Sequence, residues 1–125
     1  MPRSIKIVLD DLQLDAQLND SKTASLIWDQ LPIETAYSTW GDEIYFSIPV
    51  EAPLEDGQAV VQLGDLGYWP QGNAFCIFYG KTPASRGDEI RPASPVNLIG
   101  KVLGDSTVLK AVASAGGSIR IEMRT

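Results

Sequence analysis

The 125-residue chain holds enough sequence for one domain, since domains cluster at roughly 100–150 residues and a division would leave two marginal cores. Hydrophobic residues at 44% and charged residues at 21% are ordinary for a globular protein, with no tract that reads as disordered. A net charge of −6 argues against nucleic acid and anionic membrane as partners, because both need a basic face. Histidine is absent and Cys76 is the single cysteine, which removes intramolecular disulfides, multi-cysteine zinc sites and histidine-activated nucleophiles. No metal and no cofactor is expected. The opening residues run into a short alternating segment instead of a long apolar stretch, so the expectation is a cytoplasmic protein with neither secretory signal nor membrane-spanning helix. The oligomeric state is open.

Residues 5–9 form a short apolar run, and residues 12–18 alternate apolar and polar beyond an Asp10-Asp11 turn; together they predict a hairpin. Asp20 and Ser21 offer capping oxygens ahead of Ala24, Ile27, Trp28 and Leu31 at helical spacing, which predicts a helix over 21–30 that Pro32 ends. Residues 43–49 are β-branched and aromatic and predict a strand, and the acidic, turn-rich residues 51–57 a loop. Three further short apolar runs, 60–63, 67–69 and 74–79, are punctuated by Gly-Asp and Pro-Gln-Gly and predict strands.

Residues 82–95 carry three prolines and mixed charges and predict a long surface loop, the kind of segment on which binding residues concentrate. A strand over 98–103, a short helix from Asp105 through Ala113 and a closing strand over 118–123 complete the series. Many short strands with two helices predict a mostly β fold, a barrel or sandwich with helical plugs, in a single domain over 1–125.

Three stretches resemble cyclophilins, in the same order and across nearly the whole chain. Leu18-Asn19-Asp20-Ser21-Lys22-Thr23-Ala24 resembles the lead into their first helix, Ala74-Phe75-Cys76-Ile77-Phe78-Tyr79-Gly80-Lys81-Thr82 a strand carrying part of their active site, and the run from Gly100 to Val112 their last strand-helix unit. The segment from Gly64 through Tyr68-Trp69-Pro70-Gln71-Gly72-Asn73 to Pro83 is similar to the hallmark of a small prokaryotic family of cyclophilin-like proteins that has no settled activity. The resemblance implies a closed cyclophilin-like β-barrel with two short helices, 21–30 and 106–113, capping its ends. It also exposes departures. The arginine that positions the prolyl carbonyl in cyclophilins falls on Ser47 or Phe46, the glutamine and phenylalanine of the later strand on Ala74 and Cys76, and the histidine beside the proline pocket on Val96. Prolyl isomerisation depends on electrostatic bias at the amide, so losing the fixed cation removes its main support.

The expected function is therefore binding of a small molecule or short peptide in the groove where cyclophilins take proline, without catalysis. A divergent prolyl isomerase and a protein-interaction module are the alternatives. Candidate ligand-binding residues are the aromatics Tyr45, Tyr68, Trp69 and Phe78, the loop cations Arg86 and Arg91, and the acids Glu43 and Asp65 at apolar strand ends, where burial raises a carboxyl pKa. Each has a plainer structural role: Trp69 as a barrel cap, the other aromatics as core, Arg86 and Arg91 paired with Asp88 and Glu89, and Asp65 bonded to its own turn. Cys76 reads as a small buried hydrophobe, since no basic residue adjoins it.

Overall fold

A computed structural model describes residues 3–113 and 117–124. Nine strands form one antiparallel sheet that nearly closes on itself: β1 (Arg3–Leu9), β2 (Leu12–Leu18), β3 (Ile33–Ala36), β4 (Ser38–Thr39), β5 (Glu43–Ser47), β6 (Asp65–Trp69), β7 (Ala74–Phe78), β8 (Asn97–Val102) and β9 (Ser118–Met123). Their spatial order is β3-β9-β1-β2-β8-β6-β7-β5-β4. The two end strands, β3 and β4, are separated in sequence only by Tyr37, which is buried and whose N–H donates to the Gly117 carbonyl at 2.9 Å.

Alternation fixes which face each residue takes. Ile5, Ile7 and Leu9 of β1, Leu14, Ala16 and Leu18 of β2, and Ile119 and Ile121 of β9 point into the barrel and share one core cluster. Two helices follow strands of opposite direction, so they close opposite mouths. The first, α1 (Lys22–Trp28), follows β2 and sends Ala24 and Ile27 into that core; the second, α2 (Leu109–Val112), follows β8 and sends in Leu109. Ser21 caps α1, accepting from the Ala24 N–H at 3.1 Å, and Asp105 accepts from the Thr107 N–H at 3.0 Å at the 3-10 turn that leads into α2. Among the described residues no helix is long and apolar enough to cross a membrane.

Strand β7 has no solvent face. Phe75 and Ile77 point inward, where Phe75 stacks on Phe46 with ring centroids 5.2 Å apart. Ala74, Cys76 and Phe78 point outward into a second cluster with Val61, Ile90 and Val96. The outer side of the β5-β7-β6-β8 wall is thus roofed by the 82–96 segment, and the molecule has an apolar layer on each side of one sheet.

One expectation needs correction, and two features add to the rest. Residues 60–63 are not a strand: a single bridge, Val61 with Ile90, is all that pairs there, because the segment folds over the outer wall and not into it. The short strands β3 and β4 lack a sequence signal, since four and two residues between Pro32 and Gly41 are too few to show a period. The 51–57 loop is more than a turn: Glu55 accepts from the N–H groups of Lys22 and Thr23 at 3.0 and 3.1 Å and so caps α1 from outside.

Candidate functional site

On the outer wall, side chains at matching positions across three strands define a shallow hollow. Tyr45 of β5 stands opposite Cys76 of β7, which stands opposite Gly67 of β6; Glu43 stands opposite Phe78, and Trp69 opposite Ala74. A Cβ at Gly67 would press to 3.0 Å from Val96 and 3.2 Å from Phe78, so the glycine lets these two side chains seal the floor. The resulting pocket, of about 250 Å³, is lined by Trp40, Glu43, Tyr45, Trp69, Pro92, Ala93 and Val96. That volume lies just under the range typical of drug-sized ligands and suits one small group.

Its far wall is loop, held in place by hydrogen bonds. Ser85 is the hub: its hydroxyl accepts from the N–H groups of Thr82 at 3.0 Å and Arg91 at 3.2 Å, while the Thr82 hydroxyl donates to the Arg91 carbonyl. The Trp69 indole N–H donates to the Ser94 hydroxyl at 2.6 Å, which ties the aromatic wall to the loop wall. A pocket wall built from irregular backbone is therefore fixed at several points before any ligand arrives.

Glu43 dominates the electrostatics. It is 6% exposed, no described cation pairs with it, and burial pushes its carboxyl from 4.5 up to about 7, opposed only by a hydrogen bond with the Cys76 thiol. Cys76 is buried, and desolvation, with the Glu43 charge beside it, pushes the thiol well up, the reverse of what a reactive thiolate needs. Tyr79 is pushed up to about 12 by burial and by Asp42, Tyr37 and Glu43. The pocket is thus aromatic and faced by one carboxyl that both gains and loses its proton near neutrality.

The eight sequence candidates separate. Glu43, Tyr45 and Trp69 come together in the pocket. Tyr68 does not: strand alternation turns it inward, where it is fully buried and its hydroxyl donates to the Val50 carbonyl at 2.6 Å. Phe78 faces outward but is fully buried beneath Val96 and Gly67, so it is floor and not contact surface. Asp65 borders a different hollow, with Gln17, Leu18, Asn19 and Lys101, and its carboxylate accepts from the Gln62 N–H at 2.8 Å as a turn residue does; burial raises its pKa. Arg91 is tied to Glu89, Nε to carboxylate at 2.7 Å, and exposed Arg86 offers its backbone N–H to the same carboxylate. Neither arginine lines the pocket.

Sequence reasoning missed Trp40, Pro92 and Ala93 as lining residues, whereas Val96 lines the pocket at the position matched to the cyclophilin histidine. Trp40 sits three residues before the start of β5 on a bend, where the alternation that placed Tyr45 no longer applies, and the loop residues depend on the Ser85 and Ser94 contacts, which no local pattern announces. The position matched to the cyclophilin arginine also shifts. Phe46 points into the core and Ser47 points out, its hydroxyl donating to the Gly72 carbonyl at 3.0 Å, so the β5 side chains facing the pocket are an acid and a phenol.

The comparisons with known proteins agree with this architecture. The family model described as Cyclophilin-like matches residues 3–122. Among solved structures, the solution structure of the hypothetical protein AF2241 from Archaeoglobus fulgidus superposes with a TM-score of 0.82 at 39% identity, covering 98% of this chain and 95% of that one. No curated protein matches. The barrel is accordingly that of a cyclophilin-like protein, and the chain belongs to the Cyclophilin-like family.

Proposed function

We propose that the protein binds a small molecule or short peptide segment in the pocket walled by Trp40, Tyr45 and Trp69, and that it does not isomerise prolyl bonds. The observation that carries this reading is the pocket itself: an apolar, pre-formed hollow with one convergent polar group, Glu43, on the wall where the resemblance to cyclophilins puts their proline groove. Isomerisation needs a fixed cation beside the substrate carbonyl, and the strand that would supply it offers Glu43 and Tyr45 instead. A carboxylate there repels the carbonyl oxygen whose charge the twisted amide must hold. Arg91 is already occupied by Glu89, and Arg86 lies on the exposed loop, so neither is organised to replace it.

The test is a prolyl tetrapeptide assay with wild type and an Arg86→Ala, Arg91→Ala double variant. Rates equal to the uncatalysed reaction in both support the reading; strong turnover that vanishes in the double variant replaces it with a loop-arginine isomerase. The same reading keeps the protein in the cytoplasm, with its charge of −6 steering it away from nucleic acid and anionic lipid.

A further inference from the structure

We propose that the outer-wall pocket selects a small organic ammonium ion, with Glu43 as counter-ion and Trp40, Tyr45 and Trp69 as the aromatic walls around the charge. This rests on the pocket reading above and names the chemistry of its occupant.

Three features converge on it. Indole and phenol faces attract cations through their negative quadrupole, best where water is excluded, and three of the seven lining residues are Trp or Tyr. The pocket's one carboxyl is 6% exposed and lacks any cationic partner among the described residues. Elsewhere Arg91 is paired with Glu89, Lys81 with Asp88 and Lys110 with Asp42. A buried carboxyl without a cation is costly to ionise, and an entering ammonium removes that cost while replacing the water it sheds with carboxylate and aromatic faces. The net charge of −6 favours cation approach. The volume of about 250 Å³ holds one compact amine.

Titratable groups facing Glu43 are few: Tyr45 on its own strand, the Cys76 thiol of β7, Tyr79 just beyond β7, and Asp42 beside it, which Lys110 neutralises at 3.7 Å. Cys76 and Tyr79 are held protonated through neutral pH, so Glu43 alone changes charge there. Ammonium binding should therefore strengthen with pH up to about 7 and level off above it.

Benzylammonium, benzyl alcohol and benzoate share a ring and differ in charge, and their contacts can be read on the indole N–H signals of Trp40 and Trp69. At about pH 8, benzylammonium is expected to shift both signals and to bind at least about tenfold more tightly than benzyl alcohol, with benzoate weakest. Its affinity should fall about tenfold per pH unit below neutrality, and Glu43→Gln should reduce it to the level of the alcohol. Should the alcohol or benzoate shift the same signals with equal affinity, the charge preference is wrong while the pocket stands. If none of the three moves either indole, both the ammonium proposal and the pocket reading fall.

Discussion

At the scale of single residues, the buried Glu43 carboxyl links stability to pH. In the unfolded chain it titrates at 4.5, whereas burial keeps the folded group protonated up to about 7. Between those values the folded state holds more proton than the unfolded one, so this contribution is fully present below 4.5 and is lost as pH rises through about 7. A span of this width corresponds to about 3 kcal/mol. Glu43→Gln is expected to be the more stable protein at about pH 8 and to close that gap at about pH 4, measured as the difference between urea midpoints of the two proteins across pH. A pH-independent difference would show that the carboxyl is solvated. Cys76 beside it should resist thiol reagents in the native protein and label only at the rate of unfolding; labelling within minutes under native conditions would contradict its burial. Part of this site was legible in the sequence: Glu43, Tyr45 and Trp69, three of the seven lining residues, share the outward parity of strands whose alternation can be read. The rest was not, because Trp40 sits on a bend and the loop wall hangs on Trp69 bonding Ser94 across 25 positions.

Among elements, the joint between α1, the 51–57 loop and β8 runs through one buried side chain. Asn97 accepts from the Glu55 N–H at 2.6 Å and donates to the Thr23 hydroxyl at 3.0 Å and the Pro53 carbonyl at 2.9 Å. Glu55 is thereby placed to cap α1, and those N–H groups lower its carboxyl pKa. Asn97→Ala removes all three bonds, one of them to the buried Thr23 hydroxyl, and is expected to cost more than Ser21→Ala, which removes one local cap worth about 1 kcal/mol. Equal losses for the two variants in thermal unfolding would mean that Asn97 holds nothing beyond its own strand. The local cap at Ser21 was legible because its partner is three residues away, and the hairpin because Leu9 and Leu12 flank a two-residue turn. The Glu55 cap spans more than thirty positions, and strands β3 and β4 exist only because β9 and β5 pair with them. Interactions of that kind are set by the closed barrel and leave no periodic trace in the segments they join.

For the molecule as a whole, the barrel is two sets of strands joined along one line. The set β3-β9-β1-β2 meets the set β8-β6-β7-β5-β4 through three residue pairs, Ala16 with Val102, Gln17 with Lys101 and Leu18 with Gly100. Gly100 is the tight point of that line. A Cβ there would overlap the Gln17 carbonyl and crowd the Leu18 Cα, and because the obstruction is backbone, no side-chain rotation relieves it. Gly100 also pairs with Leu66 on its other side, where the register of β6 and β8 slips, so β8 cannot retreat without disturbing β6. Gly100→Ala is therefore expected to destabilise by about 3 kcal/mol or more, against the gain of about 0.4–1 kcal/mol that a glycine-to-alanine change gives where the backbone has room. Both core clusters share strand β7, so the loss should appear as one displaced transition, with tryptophan emission from the outer-wall pocket, read in a Trp28→Phe background, and far-UV circular dichroism still coinciding. A loss below about 1 kcal/mol would show that the β2-β8 line has slack. Emission that changes well before the dichroism would show that the loop-covered outer cluster unfolds independently of the barrel interior.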